Sequence, residues 1–284
     1  MTKISNFKTP LRYPGGKAKF AHHIRAIIQS NNLSGGVYVE PFAGGAGVAL
    51  DLLLSGHVNN IIINDIDPAI YSFWFSVVNH NDELCQMIES SFITIDNWHQ
   101  QREILLNHTK HSLLDLAFAT FFLNRTNRSG ILKAGVIGGK EQKGKWKLDA
   151  RFNKIDLINR IKNISHFKEK ITVSNLDAVA FLNKFSPDLP ENSLIYLDPP
   201  YYVKGAELYR NFYKHEDHVN IANTLRDIDL PWVVSYDNVE EIRKIYSQYR
   251  MCDYFLSYTA QDKKIGSEII IYNDNLITPS ILKK

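Results

Sequence analysis

A chain of 284 residues with 44% hydrophobic and 22% charged side chains has material for one large or two modest globular domains. No apolar run has the length of a membrane span and no signal-peptide pattern is visible. Only Cys85 and Cys252 occur, far apart and without metal-like spacing, which argues against disulfides and structural zinc and fits a reducing compartment. The net charge of +3 hides an asymmetry: residues 121–170 carry 13 basic and 4 acidic side chains, +9, which leaves −6 elsewhere, a distribution that suits a polyanionic partner.

Leu11-Arg12-Tyr13-Pro14-Gly15-Gly16-Lys17 is a Pro-Gly-Gly turn opening a predicted helix over residues 18–30. Backbone N–H groups at such a start, with Lys17 beside them, attract anions. Val37-Tyr38-Val39-Glu40 reads as the first strand. Pro41-Phe42-Ala43-Gly44-Gly45-Ala46-Gly47 follows, then an apolar helix over residues 48–54. A strand, a glycine-rich loop and a helix start make a ligand cradle, because glycine lets a ligand approach the backbone. The loop has neither the dinucleotide spacing nor the Gly-Lys-Ser/Thr of a phosphate loop. Ile61-Ile62-Ile63-Asn64-Asp65 is a second buried strand, ending in an acid about 20 residues past the loop, where doubly wound folds hold ribose hydroxyls. The competing role, capping the next helix, is one Asp67 can fill instead.

From Pro68 the pattern turns helical. Ile70, Phe73, Trp74 and Val77 recur at helical spacing, and further helices are predicted over residues 82–90, 96–107 and 112–123. This much helix between strands predicts an inserted subdomain over residues 79–167, with 1–78 and 168–284 forming the sheet domain. Asn124-Arg125-Thr126-Asn127-Arg128-Ser129-Gly130 and Lys140-Glu141-Gln142-Lys143-Gly144-Lys145-Trp146-Lys147 interleave glycines, polar groups and bases in a loop or hairpin. Arg and Asn read guanine and adenine edges, while lysines pair with phosphates. Asn124, Arg125, Asn127, Arg128, Lys133, Lys143, Lys145 and Lys147 are therefore candidate nucleic-acid contacts. A basic loop with no reading role is the competing interpretation.

A helix over residues 155–167 precedes a third strand, Ile171-Thr172-Val173. Asp177 then opens a helix over 178–185, where an acid alone is most often a cap. Leu194-Ile195-Tyr196-Leu197 is a short apolar run that reads as a buried strand, and Asp198-Pro199-Pro200-Tyr201 ends it. The prolines have no N–H for the ladder, and Pro199 pushes Asp198 out of the helical region. A carboxylate is thus held at the carboxyl end of a strand, where open α/β sheets bind ligands. The acid and a rigid carbonyl can accept hydrogen bonds from one exocyclic amino group, and an aromatic face can stack on its ring. Residues 202–213 make an aromatic loop able to close over a nucleotide. A helix over 215–226 carries His215 and His218, which lack a third metal ligand and are expected at the surface. Trp232-Val233-Val234-Ser235 is the fifth strand. Residues 254–258 and 268–272 are expected to pair antiparallel around the basic loop Asp262-Lys263-Lys264.

Asp198-Pro199-Pro200-Tyr201 resembles the catalytic signature of amino-methyltransferases that use S-adenosylmethionine (AdoMet). The motif order from about Leu11 to about Asn273 resembles adenine-N6 DNA methyltransferases of the Dam type. The resemblance implies a doubly wound, Rossmann-like α/β sheet with an inserted helical, basic target-recognition subdomain. It implies AdoMet as cofactor, no metal, and double-stranded DNA as partner. It also implies a cytoplasmic, nucleoid-associated protein of bacterial or phage type, with room for a cognate restriction endonuclease acting beside it. It assigns Tyr13, Lys17, Glu40, Pro41, Phe42, Gly44, Gly45, Asp65 and Asp177 to AdoMet, the last accepting a hydrogen bond from the adenine amino group. Asp198, Pro199, Pro200 and Tyr201 become catalytic, acting on the N6 amino group of a flipped-out adenine. GATC-specific relatives carry an aromatic wedge at the position of Arg128, so a GATC target is not carried over. Relatives often have arginines in the closing hairpin, where this chain has lysines. The same turn would also serve cytosine N4 or an RNA base. A non-catalytic DNA-binding protein with the same fold is a more distant reading, against which an intact Asp198 and glycine loop argue.

Overall fold

Strands buried on both faces need continuous apolar runs rather than alternation, and Leu194–Leu197 is buried at every position. The computed structural model describes residues 8–12, 20–203, 213–257 and 265–279. Its elements are α1 (Ala21–Ser30), β1 (Val37–Glu40), α2 (Gly47–Leu54), β2 (Asn60–Asn64), α3 (Pro68–Asn79), α4 (Asn81–Ser90), α5 (Ile95–Leu106), α6 (Leu113–Thr126), α7 (Lys154–Ser165), β3 (Ile171–Ser174), α8 (Ala178–Phe185), β4 (Leu194–Leu197), α9 (His215–Arg226), β5 (Trp232–Asp237), α10 (Glu240–Ile245), β6 (Arg250–Ser257) and β7 (Ile265–Tyr272).

The strands form one sheet in the order β3-β2-β1-β4-β5-β7-β6. The first five are parallel, and β7 runs antiparallel between β5 and β6. The expected doubly wound α/β sheet is therefore present, with Rossmann-like strand order. The order reverses at β1, which pairs with β2 on one side and β4 on the other. Such a switch point opens a crevice at the carboxyl ends of the strands.

Alternation along the strands divides the side chains between two cores. Tyr38, Leu194, Tyr196, Val233, Ile270 and Tyr272 pack with α1 to α7. Val39, Ile195, Leu197, Val234, Ile269 and Ile271 pack with α8, α9 and α10. The helices between β2 and β3 share the first of these cores: Leu84, Ile88, Trp98, Leu116 and Ile161 belong to the same apolar cluster as Ile61 and Ile63. Phe73 of α3 stacks on Phe121 of α6 at 6.0 Å between ring centroids. These helices thus grow out of the sheet's own core.

Several helix starts follow capping chemistry. Asp67 accepts from the Ala69 N–H, with Pro68 at the first helical position. Thr94, Ser112 and Asn153 do the same for α5, α6 and α7. The hairpin strands β6 and β7 are eight residues each, longer than expected. The short helix α10 has no sequence signal strong enough to predict it. Tyr13, Lys17, most of the loop after Val203 and the 262–264 loop lie outside the described residues.

Candidate active site

The crevice is built from the ends of β1, β2 and β4. Pro41 to Ala46 turns sharply out of β1, with Gly44 at φ 46° and Ala46 at φ 46°, conformations for which glycine is best suited. The loop is pinned on several sides. Ala43 N–H donates to the Asn64 carbonyl at 2.8 Å. The Trp74 indole donates to the Gly44 carbonyl at 2.8 Å, and the Thr9 hydroxyl donates to the Gly45 carbonyl at 2.6 Å. Pre-organisation of this kind is what a backbone cradle requires.

Asp65 follows β2 and faces the loop. Its Oδ2 accepts from Gly44 N–H and its Oδ1 from Asp67 N–H, both at 2.9 Å. Although part of the residue is reached by solvent, the surrounding walls push its pKa up to about 7, burial being the chief cause, with the Asp67 and Gly44 N–H groups opposing. Glu40 lies deeper, 4% exposed, beneath the loop rather than in the open crevice. Its Oε1 accepts from the Tyr38 hydroxyl at 2.9 Å and from Ala49 N–H at 3.2 Å. Burial pushes Glu40 up to about 8 against those two donors, and the Asp198 charge adds to the rise.

Asp177 caps α8, its Oδ1 accepting from Val179 N–H at 2.9 Å. It also lines an open cavity of about 480 Å³ between α8 and α9, together with Asn183, Tyr213 and Asp217. The Tyr213 ring meets Phe42 of the glycine loop edge-on, 5.7 Å between centroids. Phe42, Asp177 and Tyr213 therefore border one region, and the Asp65 charge acts on Tyr213.

Asp198 stands immediately after β4. Its Oδ1 accepts from the Ser235 hydroxyl at 2.7 Å, and Ser235 Oγ lies 2.9 Å from the Tyr196 hydroxyl. The Tyr201 hydroxyl donates to Glu268 of β7. Backbone N–H groups of Tyr202 and Val203 donate to the two oxygens of Asp237, at 2.8 and 3.0 Å. The Asp-Pro-Pro-Tyr turn is thus fixed by side chains of β5 and β7. Beneath it sits His218, which is fully buried, contrary to the surface position expected. Its Nδ1 lies 2.9 Å from the Tyr236 hydroxyl, and rings of Tyr202, Tyr213 and Tyr236 surround it. Burial lowers its pKa to about 4, so it serves as a neutral packing group.

In the basic segment the structure separates the candidates. Asn124 and Asn127 are 1% and 0% exposed and are corrected to structural roles. The Asn124 amide donates to the carbonyls of Arg12 and Gly130, at 2.6 and 2.9 Å, while its oxygen accepts Arg12 N–H at 2.7 Å. The Asn127 amide donates to Ile131 and Leu132 carbonyls, and its oxygen accepts the Trp98 indole at 2.6 Å. Neither keeps a donor for a base edge. Gly130, at φ 77°, approaches so closely that a Cβ there would lie 2.5 Å from the Arg12 carbonyl.

Arg125 is half-buried, and its Nε donates to the Arg151 carbonyl at 2.8 Å. Burial first, then the guanidiniums of Arg12 and Arg160, disfavours its charge. Arg128 is exposed beside Gly135. Lys133, Lys143, Lys145 and Lys147 are exposed as well. Lys143 pairs with Glu141 at 2.6 Å, Lys145 lies 5.7 Å from the Trp146 ring centroid, and Lys147 donates to the Gln142 carbonyl.

Residues 13–259 match the family model described as D12 class N6 adenine-specific DNA methyltransferase. The chain belongs to this family. It is a DNA methyltransferase. Over 265 residues it is 24% identical to the type II methyltransferase M.MjaIII of Methanocaldococcus jannaschii, covering 85% of this chain and 88% of that protein. It is 26% identical over 211 residues to the modification methylase StsI of Streptococcus sanguinis, covering 69% of this chain but 29% of that longer protein. A Pyrococcus horikoshii structure provisionally described as an RNA methyltransferase aligns over 95% of this chain and 91% of its own, at 13% identity and a TM-score of 0.40.

Several residues that shape the methyltransferase crevice escape a reading of the sequence. Asn64 joins two loops: its amide donates to the Pro41 and Leu176 carbonyls and its oxygen accepts Leu176 N–H, each at 2.9 Å. A polar residue closing an apolar strand is the available signal. Ser235, Asp237 and Glu268 reach the Asp-Pro-Pro-Tyr turn through strand pairing, which leaves no local trace. Trp146, 65% exposed in the basic loop, is an exposed aromatic among lysines.

Proposed function

We propose that this DNA methyltransferase moves a methyl group from AdoMet to the N6 amino group of an adenine flipped out of duplex DNA. The observation that carries this reading is the meeting of two features at one edge of the sheet. One is a pinned glycine loop closed by Asp65; the other is the Asp198 carboxylate on a rigid turn. Their chemistry fits the cofactor. Asp65 suits a ribose diol, Asp177 suits an adenine amino group, and Phe42 and Tyr213 offer apolar walls. Tyr13, Lys17 and the backbone of Pro41, Gly44 and Gly45 complete the assignment, while Glu40 supports the loop from below. When bound, AdoMet supplies an electrophilic methyl group on a sulfonium.

An adenine inside a stacked duplex cannot reach this crevice, so it must leave the stack. Asp198 and the Pro199 carbonyl then accept the N6 hydrogens, which orients the nitrogen lone pair. The carboxylate also stabilises positive charge as it builds on nitrogen. Pro200 keeps the turn stiff, and Tyr201, its hydroxyl held by Glu268, stacks on the base. Positioning and electrostatics carry the step, with no covalent enzyme intermediate. Residues 79–167 act as the target-recognition part, with Lys133, Lys143, Lys145 and Lys147 on phosphates. Arg128 is the better candidate for a base edge, since Arg125 is already tied to Arg151. The protein acts in the cytoplasm at the nucleoid, with or without a cognate restriction endonuclease.

Incubating duplex DNA with methyl-labelled AdoMet tests the assignment. Asp198→Ala should incorporate label at least about 10²–10³-fold more slowly than wild type, the cost of losing a transition-state acceptor, while binding AdoMet normally. Equal incorporation by the variant would remove Asp198 from the chemistry.

A further inference from the structure

Strand register places a row of polar side chains along the carboxyl edge of the sheet. Tyr196 pairs with Val233 and Leu197 with Val234, so one step further sets Asp198 beside Ser235. Alternation puts Ser235 on the same face as Val233, and Tyr196 packs on that face too. Ser235 is fully buried and Tyr196 is 2% exposed. A hydroxyl buried in a sheet must be hydrogen-bonded to be tolerated. Here its partners fix the direction of every proton. A carboxylate only accepts, so Ser235 donates to Asp198 Oδ1 at 2.7 Å. The serine has one hydrogen, so at 2.9 Å the Tyr196 hydroxyl must donate to Ser235. Burial and then the Asp198 charge hold the Tyr196 phenol well above its usual range, so it keeps that proton.

We infer that Ser235, oriented by Tyr196, is a positioning residue: the relay from β4 through β5 locks the Asp198 carboxylate in the orientation that receives the target amino group. The inference rests on the reading of Asp198 as the acceptor in methyl transfer. A carboxylate held at one oxygen by a buried donor cannot rotate freely about its side-chain bonds, so its working geometry exists before substrate arrives. Hydrogen bonds to a charged partner are also about twice as strong as neutral ones. Among the described residues, the titratable groups that feel this carboxylate include Tyr38 and Glu40 from β1 and Tyr196 from β4, with Glu268 of β7 next to Tyr196.

The test compares wild type, Ser235→Ala, Ser235→Thr, Tyr196→Phe and Asp198→Ala as full-length proteins, with folding checked by thermal denaturation. Single-turnover methylation, AdoMet affinity and the pH dependence of the rate are measured for each. Ser235→Ala should slow methylation about 10- to 100-fold, the scale of a lost hydrogen bond to a charged group. AdoMet affinity should stay within about twofold, and the acidic limb of the pH–rate profile should move to higher pH, because the ionised carboxylate has lost a donor. Tyr196→Phe should shift the limb the same way with a smaller loss of rate, and Ser235→Thr, which keeps the hydroxyl, should restore most of it. Wild-type rate and pH profile in both Ser235→Ala and Tyr196→Phe would overturn the inference while leaving Asp198 catalytic. Methylation at the wild-type rate in Asp198→Ala would instead overturn the underlying reading.

Discussion

Asp65 and Glu40 are both acids at strand ends, yet their surroundings divide their roles. Asp65 is reached by solvent and faces the glycine loop. Asp65→Ala should weaken AdoMet binding about 10- to 100-fold, as hydroxyl donors lose a charged acceptor, and isothermal titration reads this directly. The pH dependence follows from its pKa of about 7. Hydroxyl donors favour the ionised form, so AdoMet should bind more tightly as pH rises through that value. Affinity flat across neutral pH would mean that Asp65 does not meet the ribose. Glu40, pushed up to about 8, keeps its proton at neutral pH. Asn124 reads as a base contact from its neighbours Arg125 and Arg128, but residue type does not reveal burial. Because its three hydrogen bonds lie inside the fold, Asn124→Ala should cost about 2–4 kcal/mol of stability through unsatisfied buried groups. Thermal denaturation should show the loss, with no change in the sequence preference of the folded enzyme.

Among the elements, the strands are the most legible. Val37–Glu40, Asn60–Asn64, Ile171–Ser174, Leu194–Leu197 and Trp232–Asp237 all begin or end within about two residues of the apolar runs that announce them. Runs of Ile, Val and Leu bounded by turn residues admit few alternatives, and the polar residue that ends each run sits at the functional edge. The partners of the Asp-Pro-Pro-Tyr turn are not legible, because Ser235 and Glu268 lie 37 and 67 residues from the groups they bind. His218 departs from its expected surface position for a related reason: the rings that enclose it come from β5 and from both ends of the loop after Pro200. The basic loop around Lys143, Lys145 and Lys147 projects exposed side chains. Replacing all three with Gln should weaken binding to every duplex alike and lower the slope of log affinity against log salt, by about 0.9 for each phosphate no longer neutralised. Arg128→Ala should cost about 1–3 kcal/mol on the cognate site and much less on scrambled DNA. Equal losses on both duplexes, measured at several salt concentrations, would make Arg128 a phosphate-binding residue.

At the scale of the whole molecule, charge is concentrated while the core is shared. The excess of positive charge lies in residues 121–170, in an otherwise acidic chain. The helices that carry this segment share one apolar core with the sheet that holds Asp198. Asn124 ties α6 to Arg12, just ahead of the stretch assigned to AdoMet. The helices between β2 and β3 and the residues ahead of α1 are therefore mechanically joined. Transfer to adenine N6 is tested most directly by mass spectrometry of nucleosides from duplex DNA incubated with the protein and AdoMet. The expected product is the N6-methylated deoxyadenosine, formed at least about 10²–10³-fold more slowly when Asp198→Ala replaces the wild type. N4-methylated deoxycytidine, or no methylated nucleoside at all, would contradict it.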